Sequence, residues 1–168
     1  MLNNKDNVFQ DMIDLRDLFP RFKEAEISQL LKEKKFPIPL FLVLSLIRQE
    51  SSFDEKAVSS AKAMGLMQLI EPTAKRIAKR YKLDDFDLFA AKDNLSLGLS
   101  YLNDLLLEFN GRVDYALCAY NAGEQAARRW IKYYGHLTPY EFMESVPYQE
   151  TRAYVKFVMR NWAIYELV

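Results

Sequence analysis

The sequence predicts a nearly all-helical domain, on three observations. The 168 residues include only 5 glycines and 6 prolines, too few for the many turns of a barrel or sandwich. Apolar residues recur at the i, i+3, i+4, i+7 spacing of a helix face along most of the chain. Half the residues are hydrophobic and 14% are aromatic, enough apolar matter for one well-filled core and incompatible with disorder as a description of the whole.

In chain order, Leu2 to Leu18 carries Phe9, Met12 and Ile13 at helical spacing and stops at Pro20. Lys23 to Lys35 puts Ile27, Leu30 and Leu31 on one face, a second amphipathic helix. Pro37-Ile38-Pro39 breaks the chain, and Pro39 suits the first turn of a new helix. Leu40 to Gln49 is apolar all round up to Arg48, the mark of a helix buried in the core. Ser51 to Ala63 is small and polar and is expected as loop or very short strands, within an irregular segment over 51–71.

Pro72 opens the next helix, with Ala74, Ile77, Ala78 and Tyr81 in register. Asp93 or Asn94 is expected to cap a helix whose apolar face is Leu95, Leu99, Leu102, Leu106 and Phe109, ending at Gly111. Asp114 is expected to cap Tyr115 to Tyr120, and Gln125 to Tyr134 ends at Gly135. Thr138-Pro139-Tyr140-Glu141 spells a capping box with proline at the first helical position. Glu150 to Leu167 closes the chain as a long amphipathic helix. Residues 1–35 read as an N-terminal helical extension and 36–168 as the main domain.

Composition removes several functions. Lys plus Arg balance Asp plus Glu at 23 each, with no basic run, so nucleic acid is not an expected partner. Cys118 is the lone cysteine and His136 the lone histidine, which excludes intrachain disulfides, multi-cysteine zinc sites and two-histidine metal motifs. No metal and no cofactor are expected. His136 falls in Tyr-Gly-His-Leu-Thr before a helix start, a solvated turn position, so acid–base chemistry is expected from carboxylates. The first residues lack the apolar region of a signal peptide. The longest apolar stretch, Ile38 to Ile47, falls short of the ~20 residues that span a bilayer. Both an intracellular protein and a trimmed segment of an exported one fit.

Four short motifs can carry chemistry. In Arg48-Gln49-Glu50-Ser51, the buried helix delivers Glu50 at its negative end among apolar neighbours. Both influences disfavour the carboxylate, so Glu50 is expected to hold a proton near neutral pH, as a glycosidic general acid must. Gly65-Leu66-Met67-Gln68 combines a scarce glycine with an amide able to meet an N-acetyl group. Ala119-Tyr120-Asn121-Ala122-Gly123 joins a tyrosine to a helix end, and Glu150 stands in Pro147-Tyr148-Gln149-Glu150-Thr151. Each alone also has a structural explanation: a solvated acid past a helix end, a helix start, a helix stop, an N-terminal helix charge.

In this order, with Tyr154-Val155 following Glu150-Thr151, the four motifs resemble the catalytic domain of soluble lytic transglycosylases, in the lysozyme-like superfamily. The likeness runs from about Phe36 to Val158. It implies a lysozyme-like helical fold with a small irregular β segment near 51–71. It also implies cleavage of the β-1,4 bond between N-acetylmuramic acid and N-acetylglucosamine in peptidoglycan, with a 1,6-anhydro product. By resemblance Glu50 is the catalytic acid. Ser59, Met67, Gln68, Tyr120 and Glu150 are substrate-binding, and Ser51, Gly65, Asn121 and Gly123 shape the motifs. Ile70 stands where relatives often carry methionine, and Ser60-Ala61-Lys62-Ala63 replaces a loop that often holds proline and glycine.

With one desolvated carboxyl, the expectation is a single glutamate acting as acid and then base, assisted by the substrate N-acetyl group. The partners implied are peptidoglycan glycan strands and further domains of a longer parent chain, with the periplasm as location. A hydrolytic muramidase and a non-catalytic peptidoglycan-binding module are the alternatives.

Overall fold

The computed structural model describes residues 18–83 and 85–168, and the helix expected from Leu2 onward lies outside the described residues up to its last position. From Leu18 the chain crosses Pro20, whose carbonyl accepts the Tyr165 hydroxyl at 2.8 Å. Helix α1 (Glu24–Lys34) buries Ile27, Leu30 and Leu31. Helix α2 (Leu40–Ser51) starts directly after Pro39 and buries six consecutive residues, Leu42 to Ile47. A surface helix would expose some of these, so α2 is the central rod of the core.

The segment after α2 has no regular strand. Antiparallel bridges join Val58 to Met64 and Met64 to Leu69, so the expected irregular β segment is a set of turns pinned by isolated pairs. Helix α3 (Glu71–Tyr81) takes Pro72 in its first turn. Helix α4 (Ala91–Glu108) begins earlier than expected, with Ala90 rather than Asp93 or Asn94 at its N-cap. Asn94 is fully buried instead, and its amide serves the active-site loop described below. Helix α5 (Val113–Ala122) likewise starts from Arg112. Asp114 does not cap it, because its carboxylate takes two hydrogen bonds from the Arg112 guanidinium, at 2.9 and 2.7 Å.

Helix α6 (Glu124–Tyr134) follows α5 after Gly123 alone, whose φ of +85° a side-chain-bearing residue rarely adopts. Helix α7 (Pro139–Ser145) shows both arms of the Thr138–Glu141 capping box. Helix α8 (Gln149–Tyr165) closes the fold against α2 and α5. With glycine scarce, Lys35, Ser52 and Lys82 take the left-handed position at three helix ends. Among the described residues, no helix is long and apolar enough to cross a membrane.

The packing of α8 on α2 sets the site. Phe41, in the first turn of α2, stacks on Tyr165 near the end of α8 at 6.1 Å, so the helices run antiparallel. The last turn of α2, with Glu50, therefore meets the first turns of α8.

Candidate active site

Glu50 is the penultimate residue of α2 and opens onto a cleft of about 500 Å³. The Tyr154 hydroxyl, from the second turn of α8, donates to Glu50 Oε1 at 2.6 Å. Burial raises the Glu50 carboxyl to about 7, and the Tyr154 hydrogen bond, which favours the anion, only partly opposes this. The carboxyl also lies at the negative end of α2. At neutral pH both protonation states are populated, the condition for giving and taking a proton in one cycle.

Ser59, Gln68, Tyr120, Asn121, Gly123 and Glu150 line the same cleft, together with Ile70, Thr73, Tyr101 and Glu124. Ser59 Oγ accepts the Ala63 backbone N–H at 3.0 Å, closing the turn at the cleft rim. Gln68 Nε2 donates to the carbonyls of Gly65 (2.9 Å) and Ala57 (3.1 Å). Its donors are thus spent inside the loop, and its carbonyl oxygen is the end left for a ligand. The Tyr120 hydroxyl donates to the Met67 carbonyl at 2.8 Å. Asn121 Oδ1 accepts from Thr151 Oγ1 at 2.7 Å, tying the end of α5 to α8. Ser51 Oγ donates to the Leu66 carbonyl at 2.8 Å, tying the end of α2 to the loop. Glu150 is exposed in the first turn of α8.

Met67 departs from expectation. Its side chain is fully buried, packed where α4 carries Gly98, so it does not line the groove. A Cβ on Gly98 would stand 2.4 Å from Met67 Sδ. Only the backbone of Met67 serves the site, through the carbonyl that holds Tyr120.

Three residues of α4 support the cleft from within; sequence reading offered Asn94 only as a helix cap and gave Gly98 and Tyr101 no role at the site. Asn94 accepts the Met67 N–H at 2.8 Å and donates to the carbonyls of Met64 and Leu88, both at 2.9 Å. Gly65, at φ +74°, leaves room for this amide, since a Cβ there would lie 2.3 Å from Asn94 Nδ2. Gly98 admits Met67, and the Tyr101 ring packs on Tyr120 at 5.1 Å. Asn94, Gly98 and Tyr101 fall at i, i+4 and i+7, one stripe of the helix. A buried polar residue and a glycine within an otherwise leucine-rich face were the available signal.

A buried acid of raised pKa at a helix end, facing a polar cleft in a helical fold, has the make-up of a general acid–base class of site. The family model of the transglycosylase SLT domain matches residues 30–143, and the chain belongs to that family. The soluble lytic murein transglycosylase of Salmonella typhimurium is 35% identical over 155 residues, 89% of this chain and 22% of that protein. Its namesake in Escherichia coli strain K12 is 31% identical over 154 residues, again 89% and 22%. Among solved structures, an inactive Glu-to-Gln mutant of lytic transglycosylase Slt from Pseudomonas aeruginosa superposes with a TM-score of 0.85 at 32% identity, covering 94% of this chain and 26% of that one. The 70 kDa soluble lytic transglycosylase in complex with bulgecin A gives 0.86 at 30% identity, with 91% and 25% covered. The chain thus spans about a quarter of the length of these relatives.

Proposed function

We propose that the chain is a peptidoglycan lytic transglycosylase, cleaving the β-1,4 bond between N-acetylmuramic acid and N-acetylglucosamine with formation of 1,6-anhydro-N-acetylmuramic acid. The observation that carries this reading is the Glu50 carboxyl, raised to about 7 by burial at the wall of a polar cleft. Protonated Glu50 gives its proton to the bridging oxygen as the bond from the muramic C1 breaks, and N-acetylglucosamine leaves with a free 4-hydroxyl. The muramic N-acetyl carbonyl oxygen closes on C1 and holds its positive charge. The Glu50 carboxylate then takes the proton of the C6 hydroxyl as O6 bonds to C1 and displaces that carbonyl. The anhydro ring forms, Glu50 is protonated again, and no water is consumed.

Tyr154 supports both halves, since its hydrogen bond occupies Oε1 and leaves Oε2 to carry the proton. The other carboxylates of the cleft are poorly placed for acid catalysis: Glu150 is exposed and Glu124 is ion-paired with Arg76 at 2.7 Å. Ser59, the Gln68 carbonyl oxygen, the Tyr120 ring and Glu150 are the proposed substrate contacts. Residues 36–168 are the proposed catalytic part and residues 1–35 the proposed extension, whose described stretch packs into the same core through Phe19, Ile27, Leu30 and Leu31. Peptidoglycan lies outside the cytoplasmic membrane, so the periplasm is the proposed place of action, with further domains of a longer chain as partners.

Mass spectrometry of a sacculus digest tests the reading. The expected muropeptides end in anhydro-muramic acid. Products heavier by one water would make the enzyme a hydrolytic muramidase, and no release at all would leave a binding module.

A further inference from the structure

The turn that follows Glu50 is strained, and part of what holds it comes from outside the cleft. Ser52 and Phe53, two and three residues after Glu50, both take positive φ, 50° and 67°, where a serine is uncommon and a phenylalanine an outlier. Such backbone persists only where its surroundings hold it. One hold is the Ser51 hydroxyl on the Leu66 carbonyl. A second comes from the segment before α1. The Phe22 ring meets the Phe53 ring edge-on, with centroids 6.2 Å apart, and Lys23 Nζ pairs with Glu55 Oε1 at 3.1 Å. That segment is itself fixed to the fold. Phe19 packs edge-on against Tyr165 at 5.1 Å and lies under the Arg48 guanidinium at 4.4 Å, and the Arg21 guanidinium sits over the Phe41 ring at 4.8 Å.

We propose that Phe22 and Lys23 are positioning residues for Glu50: by holding the strained turn they keep the last turn of α2 wound and its carboxyl against the Tyr154 hydroxyl. The inference rests on the acid–base role proposed above for Glu50 and adds that the segment before α1 belongs to the catalytic unit. Helix ends open locally where few contacts tie them. With the turn released, Ser52 and Phe53 relax to ordinary backbone and water reaches the carboxyl. The distance from Glu50 to the bridging oxygen then varies, and a misplacement of about 1 Å can cost roughly 100-fold in rate. Phe22 is 46% exposed and the Lys23 side chain 29%, so replacing them loosens the turn without emptying the core.

The test follows the Glu50 titration by NMR and the kinetics of glycan turnover, in the full chain carrying Phe22→Ala, Lys23→Gln or both. In the double variant the midpoint is expected to fall from about 7 toward the ordinary carboxylate range, because burial is the larger of the two influences on it. Tyr154 from α8 and Tyr120 from α5 are the titratable groups facing Glu50, and burial keeps both phenols neutral, so the movement reports the carboxyl itself. The turnover number kcat is expected to fall about tenfold with KM little changed, since Gln68, Tyr120 and Glu150 lie elsewhere in the chain. Lys23→Arg keeps the pair with Glu55 and should retain the parent midpoint and rate. If the double variant folds poorly, either single variant gives the same readout. Folded variants whose midpoint and kcat match the parent would overturn the inference, even if they melt at a lower temperature, as would a loss in Lys23→Arg equal to that in Lys23→Gln. A parent that cleaves no glycan would instead sink the proposed activity, while the midpoint would still decide whether this segment places Glu50.

Discussion

Tyr154 donates its hydroxyl to Glu50 Oε1 at 2.6 Å across a sequence separation of 104 residues. The contact exists because α8 packs antiparallel to α2, and it joins the group that is to move protons to a fully structural helix. Two opposed influences meet there: burial pushes the carboxyl up to about 7, and the phenol pulls it part of the way back. The balance leaves a carboxyl that is neither a permanent acid nor a permanent base at neutral pH.

Replacing Glu50 by glutamine should lower glycan turnover at least ~100- to 10,000-fold, the usual share of a general acid–base group. The same change should stabilise the fold at alkaline pH. The folded-state value is about 7, whereas an unfolded glutamate titrates near ~4.3. Between these values the folded state holds the extra proton, so stability declines as pH rises through the window and the deficit is complete above it. Its size is of order 3 kcal/mol. Melting curves should show Glu50→Gln more stable than the parent at pH 8 and level with it near pH 4. A gap that ignores pH would contradict the burial of the carboxyl.

Tyr154→Phe removes the one hydrogen bond that favours the Glu50 anion. The alkaline limb of the activity profile should therefore move to higher pH, with a stability loss of about 1 kcal/mol. Rates measured from pH 5 to 9 decide this, and a limb displaced to lower pH would count against the assignment.

Asn94→Ala should cost about 2–4 kcal/mol, because the Met67 N–H and the Met64 and Leu88 carbonyls lose their partner where water is scarce. Gly98→Ala should cost about 1–3 kcal/mol by driving a methyl into Met67. Urea unfolding checks both. Turnover should fall alongside, since the displaced Met67 carbonyl anchors Tyr120.

Glu150→Gln should reduce turnover far less than Glu50→Gln, because Glu150 is an exposed first-turn residue with no protein partner at its carboxylate among the described hydrogen bonds and ion pairs. Parallel kinetics of the two variants on one glycan preparation settle the comparison. Should Glu150→Gln silence the enzyme while Glu50→Gln does not, the two carboxylates exchange roles.

Helices were legible where the local sequence alone decides them. The buried run Leu42 to Ile47 and the Thr138–Glu141 capping box are local signals, and both appear in the fold. Cap positions failed where another group claimed the polar side chain: a tertiary contact draws Asn94 into the loop over α4, and Asp114 is taken by Arg112, two residues before it. The proton-holding environment of Glu50 was foreseeable, because an apolar helix carries its own desolvation to its end. Its tyrosine partner was not, since nothing local to residue 154 reveals that α8 will lie antiparallel on α2. Met67 misled for a related reason. Its neighbour Gln68 faces the cleft, but the turn at Gly65 and the left-handed Gln68 send the methionine inward, against a glycine on another helix.

The most direct measurement is the titration of Glu50 itself, by carbon NMR of glutamate-labelled protein with Glu50→Gln identifying the resonance. The side-chain carboxyl carbon should titrate with a midpoint near 7, as burial dictates. A midpoint in the ordinary range of ~4 to 4.5 would mean that the group stands ionised throughout the neutral range, and the acid-then-base cycle would have no proton to begin with.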